Sequence, residues 1–193
     1  MRVLITGACG VTSRAVARSL RLSRAFRNLY LVGTDICENP FGLFEGLLDR
    51  IYRVPRVGEP DYHAHIERIC RDENVDAAIV IPELEVLYWS TRNFPVPALL
   101  PPGGFCQISV SKRRLYELLE GTGLVPRFRI LARAKLVALN KEDAPTFPCW
   151  IRDFSEGTSR GKGACLAHSA EESRAWAMLN PGIEQFMVAD YLP

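Results

Sequence analysis

Short apolar runs alternate with amphipathic stretches along the first half of this chain. Residues 2–6 (RVLIT) are apolar and β-branched and end at Gly7, the pattern of a buried strand. A helical period follows over about residues 13–25, with Val16 and Leu20 on one face. Residues 29–33 (LYLVG) predict a second strand ending near Asp35, and residues 51–54 (IYRV) a third, closed by Pro55. Asp61 is expected to N-cap a helix reaching about Cys70, and residues 75–81 read as the next buried strand. Strand, helix, strand, strand, helix, strand in this order predicts an α/β unit: a mainly parallel sheet with helices on both faces.

At residues 95–104 the composition changes, and PVPALLPPGG holds four prolines and two glycines. Residues 98–100 are one more candidate strand of the first sheet, and a domain boundary is expected just beyond, near residue 108. That divides the chain into 1–108 and 109–193. A helix is predicted over residues 111–120, stopped by Gly121 and Gly123. Residues 128–131, 148–152, 163–168 and 184–191 then read as strands. The stretch 169–179 (SAEESRAWAML) opens on Ser169 with Glu172 three places later, a capping box. Strands joined through a glycine-rich hairpin, with helices on one side, predict a small α+β domain. No internal repeat or low-complexity tract is present.

Composition narrows the function classes. The chain has 193 residues, 48% of them apolar and 24% charged, with a net charge of +2. These are values of a soluble globular protein, without the basic field that nucleic acid would select. Six scattered cysteines form no C-x-x-C pair, which argues against a zinc ribbon or a thioredoxin-type site. They are expected to be reduced thiols of a cytoplasmic protein, since no export signal precedes them. No apolar run approaches the roughly 20 residues of a membrane helix. Arg14, Arg18, Arg21, Arg24 and Arg27 recur at helical spacing and read as a solvated face. His63 and His65 have no third metal ligand in sight, and Trp89, Trp150 and Trp176 read as packing residues.

Thr6–Gly10 (TGACG) forms a glycine turn between a strand and a helix, a place where amides and the helix N-terminus can face an anion. Gly7 and Gly10 are therefore candidate anion-binding positions, although tight packing alone also selects such glycines. The turn approaches the T-G-x-x-G-x-x-G pattern of short-chain dehydrogenases, with Ser13 at the third glycine and Asp35 where a ribose-binding acid would stand. An NAD(P)-binding reductase or sensor is the alternative this raises. Against it, Tyr30, Tyr52, Tyr62, Tyr88 and Tyr116 are followed four places on by Thr34, Arg56, Ile66, Arg92 and Glu120, never by the lysine of a Y-x-x-x-K pair.

Two later segments, SKRRLYELLEGTGLVP (111–126) and FPCWIRDFSEGTSRGKGACLAHSAEE (147–172), resemble the ATP-grasp superfamily, and within it the large subunit of carbamoyl phosphate synthase. The resemblance carries a basic residue heading a helix, then Gly123-Leu124-Val125-Pro126, then F-P-x-hydrophobic-hydrophobic-R, a glycine–serine loop, a strand and an S-x-E-E helix start. It implies a Rossmann-like pre-ATP-grasp domain over 1–108, followed by the N-terminal part of an ATP-grasp domain over 109–193. It further implies ATP as ligand, with Lys112 and Arg152 on its phosphates; a guanidinium there gives bidentate, permanent charge. Gly157, Thr158, Ser159, Arg160 and Gly161 resemble the flap that folds over the triphosphate, with Lys162 beside them. The segment MVADYLP (187–193) resembles the strap that holds adenine, through main-chain groups at Tyr191 and Leu192 and an acceptor at Asp190.

The activity so implied is ATP-dependent ligation of a small-molecule carboxylate or bicarbonate through an acyl phosphate, with magnesium. The family's magnesium ligands and ribose-binding glutamate are expected beyond residue 193, so no catalytic or metal-ligating residue is assigned within the chain, and no ligase activity is expected of it alone. Homodimerisation stays open. Asp153 and Glu156 depart from the family pattern, where proline and glycine are usual. They support a third reading, a non-catalytic regulatory module with a degraded ATP-grasp fold.

Overall fold

A computed structural model of the chain describes residues 1–26, 28–38, 44–140, 144–154 and 164–192. The chain divides into two compact units, Met1–Cys106 and Gln107–Pro193.

The first unit is built on four parallel strands in the order β3-β2-β1-β4. These are β1 (Arg2–Thr6), β2 (Tyr30–Asp35), β3 (Arg50–Arg53) and β4 (Ala77–Ile79). Helix α1 (Val11–Leu22) joins β1 to β2, and α2 (Tyr62–Asp72) joins β3 to β4. Alternation along β1 sends Val3 and Ile5 to one face and Leu4 to the other. Val3 and Ile5 pack with Ala17 of α1, Leu31 and Leu48. Leu4 packs with Tyr62, Ile66 and Ile69 of α2 and with Trp89. Helices therefore cover both faces, as the strand–helix order requires. The stretch at 98–100 contributes a single parallel bridge, Ala78 to Ala98, rather than a full strand, because prolines on either side remove ladder donors.

Three helices lie where no periodicity announces them: α3 (Glu83–Ser90), α4 (Gly103–Ser109) and α6 (Arg133–Val137). In α3 the apolar residues run around the whole helix, so no stripe stands out. Asp61 holds the N-cap position of α2, but its side chain makes no capping bond; its carbonyl accepts from His65 instead. The arginine face of α1 is not simply solvated. Arg14 pairs with Glu45, and Arg21 donates to the Leu47 and Leu29 carbonyls and to Asp49 at 2.6 Å. Arg21 thereby ties α1 to the chain entering β3.

The second unit carries a four-stranded antiparallel sheet in the order β5-β8-β6-β7. Its strands are β5 (Phe128–Ala132), β6 (Cys149–Asp153), β7 (Cys165–Ala167) and β8 (Gln185–Asp190). Helix α5 (Lys112–Leu119) precedes the sheet, and α6 and α7 (Ala170–Leu179) cover one of its faces. The capping box at α7 forms: Ser169 Oγ accepts from Glu172 N at 3.2 Å, and Glu172 Oε2 accepts from His168 N at 2.8 Å. All six cysteines are free thiols, and burial pushes Cys70 and Cys149 up to about 11. Among the described residues no helix is long and apolar enough to cross a membrane.

Two buried glutamates in the first unit carry opposite electrostatic signs. Glu73, at the end of α2, receives the Tyr52 hydroxyl and the guanidinium groups of Arg2 and Arg50. Those donors, Tyr52 first, hold its carboxyl below the ordinary glutamate range. Glu85 of α3 is 7% exposed and has one oxygen with no partner among the described residues. Burial pushes its carboxyl up, outweighing the Thr6 and Tyr62 hydroxyls that act the other way.

The pH dependence follows from these directions. Glu73, depressed in the folded state, stabilises fully above its unfolded pKa near ~4.3, and that stabilisation is lost as pH falls through the folded value. Glu73→Gln should lower stability by about 1–3 kcal/mol at neutral pH and by less in acid, measured by urea unfolding across pH. Glu85, raised in the folded state, holds its proton longer than the unfolded chain does. Stability is therefore lost as pH rises from the unfolded towards the folded value. Glu85→Gln should gain stability over the wild type along that same rise.

Candidate functional site

Strand alternation in the second unit sorts its chemistry onto two faces. Cys149 and Ile151 of β6 point towards α6 and α7, packing with Leu136, Ala177 and Phe186. Trp150 and Arg152 therefore point to the opposite face, as do their register partners Ala189 and Met187. Phe154, two places beyond Arg152, is buried on that side with Met187, Ala189, Tyr116 and Phe128. The Tyr116 ring meets Phe128 edge-on at 5.3 Å, and Phe128 lies 6.4 Å from Phe154. The Arg113 guanidinium stands 5.7 Å over the Phe154 ring. These contacts seat α5 on the face that bears Arg152.

Lys112 is the first residue of α5, beside Arg113. The helix start is fixed by Ser111, whose Oγ accepts from Arg114 N at 3.3 Å. Lys112 and Arg152 thus belong to the same side of the sheet, both half-buried. Met187 and Ala189 of that face are buried beneath these contacts, and among the described residues two of its side chains stand exposed. Ile130 is 41% exposed and Trp150 42%, so Trp150 is not the packing residue its sequence context suggested. Trp89 and Trp176 do pack: Trp89 stacks on Phe94 at 3.8 Å, and Trp176 lies against the core under α7.

Tyr191 and Leu192 follow β8 and are exposed. Asp190 shares its parity with Phe186 and Val188, which directs its side chain away from the Arg152 face. It receives Arg127 Nε at 2.9 Å and lines a cleft of about 300 Å³ with Arg127, Arg129, Thr146 and Cys149. Its carboxylate is therefore engaged on the other side of the sheet. The flap positions Gly157, Thr158, Ser159, Arg160 and Gly161 lie outside the described residues, as do Glu156 and Lys162.

The glycine turn of the first unit is closed on itself. Ala8 N donates to the Thr34 carbonyl at 3.0 Å, Cys9 N to Asp35 Oδ2 at 2.8 Å, and Gly10 N to the Gly7 carbonyl at 2.8 Å. Three amides expected to face an anion are thus committed internally. Asp35 also accepts from Cys37 N at 2.9 Å, so both its oxygens are taken where a ribose would need one. Burial, then the neighbouring Asp35, pushes the Cys9 thiol up to about 11, leaving it a poor nucleophile. Ser13, buried, donates its hydroxyl to the Thr6 carbonyl at 3.0 Å. Gly7 has φ +60, and a Cβ there would sit 2.5 Å from Pro82 Cγ. Its role is close packing against the chain that leads into α3. Tight packing was one of the two readings open from the sequence, but the partner, Pro82, was hidden because it lies far along the chain.

His63 pairs with Glu67 at 3.3 Å and packs on Phe94, and His65 bonds the Asp61 carbonyl. Among the described residues no three His, Cys, Asp or Glu side chains gather as a metal site.

Neither a protein-family model nor a curated protein sequence matches the chain. Solved structures do match. N5-carboxyaminoimidazole synthetase from Staphylococcus aureus, complexed with ADP, aligns over 99% of this chain at TM-score 0.62 and 14% identity. The L-amino acid ligase from Bacillus licheniformis aligns over 99% at TM-score 0.58 and 13% identity. A RimK domain ATP-grasp protein from Sphaerobacter thermophilus aligns over 100% at TM-score 0.54 and 13% identity. The chain shares the fold of ATP-grasp enzymes. It spans 47%, 44% and 65% of those three chains respectively. The ATP-grasp fold accounts for a parallel-sheet unit followed by an antiparallel one, and an NAD(P) enzyme is not favoured by it.

The packing role of Gly7 is testable. Gly7→Ala should destabilise the protein by about 1–3 kcal/mol, through its left-handed φ and the Pro82 contact. Gly10→Ala, at φ −70 with its nearest neighbour at 3.1 Å, should lose less. Thermal melts of the two variants read the difference.

Proposed function

We propose that this chain supplies the ATP-binding part of an ATP-grasp carboxylate–amine ligase resembling carbamoyl phosphate synthase. The observation that carries the reading is the Arg152 face of the second unit's sheet. It presents Arg152 beside the exposed Trp150 and Ile130, and α5 with Lys112 at its head is seated against it. An apolar surface edged by two cations suits a nucleotide, whose base is flat and weakly polar and whose phosphates are anionic.

In this reading the first unit is the Rossmann-like pre-ATP-grasp domain and the second the N-terminal part of the ATP-grasp domain. Lys112 and Arg152 hold phosphate oxygens, Arg152 through a fork that fixes their orientation. The flap from Gly157 to Gly161 closes over them. Main-chain groups at Tyr191 and Leu192 take the adenine edge. The Arg127–Asp190 pair favours this main-chain role over a side-chain one for Asp190. A small-molecule carboxylate or bicarbonate would attack the γ-phosphorus of ATP, breaking its bond to the bridging oxygen and releasing ADP, and an amine would then displace inorganic phosphate from the acyl phosphate and lose a proton. The contribution of these residues is positioning and charge neutralisation. Magnesium belongs to the reading as a partner of the phosphates, and none of the described residues is assigned to it.

ATP titrated into the chain should change tryptophan emission saturably through Trp150. Arg152→Ala should weaken that binding by about ten-fold or more while leaving the circular dichroism unchanged. An emission signal that never saturates, or an Arg152→Ala variant with wild-type affinity, would overturn the reading. Saturable NADH binding in place of ATP binding would turn it towards a reductase.

A further inference from the structure

The carboxyl ends of β2 and β3 border a cleft of about 410 Å³, lined by Ile36, Arg53, Val54, Pro55, Arg56 and Glu59. Loops leaving the carboxyl ends of parallel strands enclose space at that edge of the sheet. The charges at this cleft are arranged unusually. Arg53 is already neutralised by Glu38 at 3.0 Å. Arg56 and Glu59 are the corners of one turn, in which Glu59 N donates to the Arg56 carbonyl at 3.0 Å and Gly58 takes φ +93. Val57, between them, packs against the core beneath and anchors the turn.

The side chains of Arg56 and Glu59 do not pair with each other, and neither has a partner among the described residues. One turn therefore places a positive and a negative side chain, both exposed, at the same cleft, beside Ile36, Val54 and Pro55. A simple anion would meet Arg56 but be repelled by Glu59, and a simple cation the reverse. A zwitterion satisfies both.

We propose that this cleft binds the α-amino-acid group, with its carboxylate on Arg56, its ammonium on Glu59 and an aliphatic side chain against Ile36, Val54 and Pro55. If the ligase reading holds, this names an amino acid as a substrate. The binding itself does not rest on that reading, because every residue involved lies in the first unit.

The test uses the whole chain and isotope-edited NMR, with L-leucine, N-acetyl-L-leucine, L-leucinamide and inorganic phosphate as probes. Leucine should shift the resonances of Ile36 and of residues 54–59 saturably. The acetylated and amidated forms, each lacking one charge, should bind about ten-fold more weakly or worse. Arg56→Gln and Glu59→Gln should each remove the leucine response and leave the ATP titration unchanged. Phosphate or N-acetyl-leucine binding as tightly as leucine would overturn the proposal in favour of a plain anion site. Absence of leucine binding, or variants that bind it normally, would overturn it outright. Leucine binding without ATP binding would sink the nucleotide reading alone.

Discussion

The Phe154 ring, 1% exposed at the end of β6, touches three parts of the second unit at once. Phe128 of β5 and Met187 and Ala189 of β8 surround it, and Arg113 of α5 lies over it. Burying a side chain of this size contributes about 2–3 kcal/mol. The geometric consequence matters more. Strand alternation ties the direction of Arg152 to that of Phe154, so anchoring the ring aims the guanidinium. The same ring anchors the first turn of α5, and hence the position of Lys112. Two cations forty residues apart in sequence are thus brought to one face by an apolar contact that involves neither.

The first unit solves a different problem, that of charge inside an α/β sandwich. Glu73 is buried but answered by a hydroxyl and two guanidinium groups, so its charge is an asset that joins β1, β3 and the end of α2. Glu85 is buried with less support, and burial pushes its carboxyl up. Asp35 spends both oxygens on the glycine turn and on the chain beyond β2. Seen together, the carboxylates near β1 serve the fold. Arg56 and Glu59 stand apart from these, for both side chains are exposed at the cleft and pair with no described residue.

Much of this was legible in the sequence, because strands and amphipathic helices announce themselves by period. Each strand among the described residues falls within a few residues of an apolar run, and Ser169 with Glu172 marked the start of α7 unaided. What stayed hidden has a common cause: it depends on residues distant in sequence. The glycines at 7 and 10 fit an anion cradle until Thr34, Asp35 and Pro82 are brought beside them. The arginines of α1 look solvated until Glu45 and Asp49 arrive. Asp190 reads as part of an adenine strap until the register of β8 turns it towards Arg127. Helix α3 escaped for another reason, since a helix apolar on every side has no period to find.

The exposed apolar side chains on the Arg152 face are the feature that the fold alone does not explain. A sheet with one solvated face ordinarily alternates apolar with polar residues, so that the outer positions carry Thr, Lys or Glu. Here the outer positions include Ile130, Trp150 and Leu166, and among the described residues α5 covers the part near Phe154, Met187 and Ala189. Leaving a tryptophan and an isoleucine about 40% exposed forgoes burial that a polar substitution would not need. Arg152, set between Trp150 and Phe154 on the same strand, and Arg113 over the Phe154 ring put positive charge beside the exposed indole. Under the proposed reading the partner there is a nucleotide, apolar over Trp150 and anionic at Arg152, whereas a purely apolar partner would leave Arg152 buried without a counter-charge.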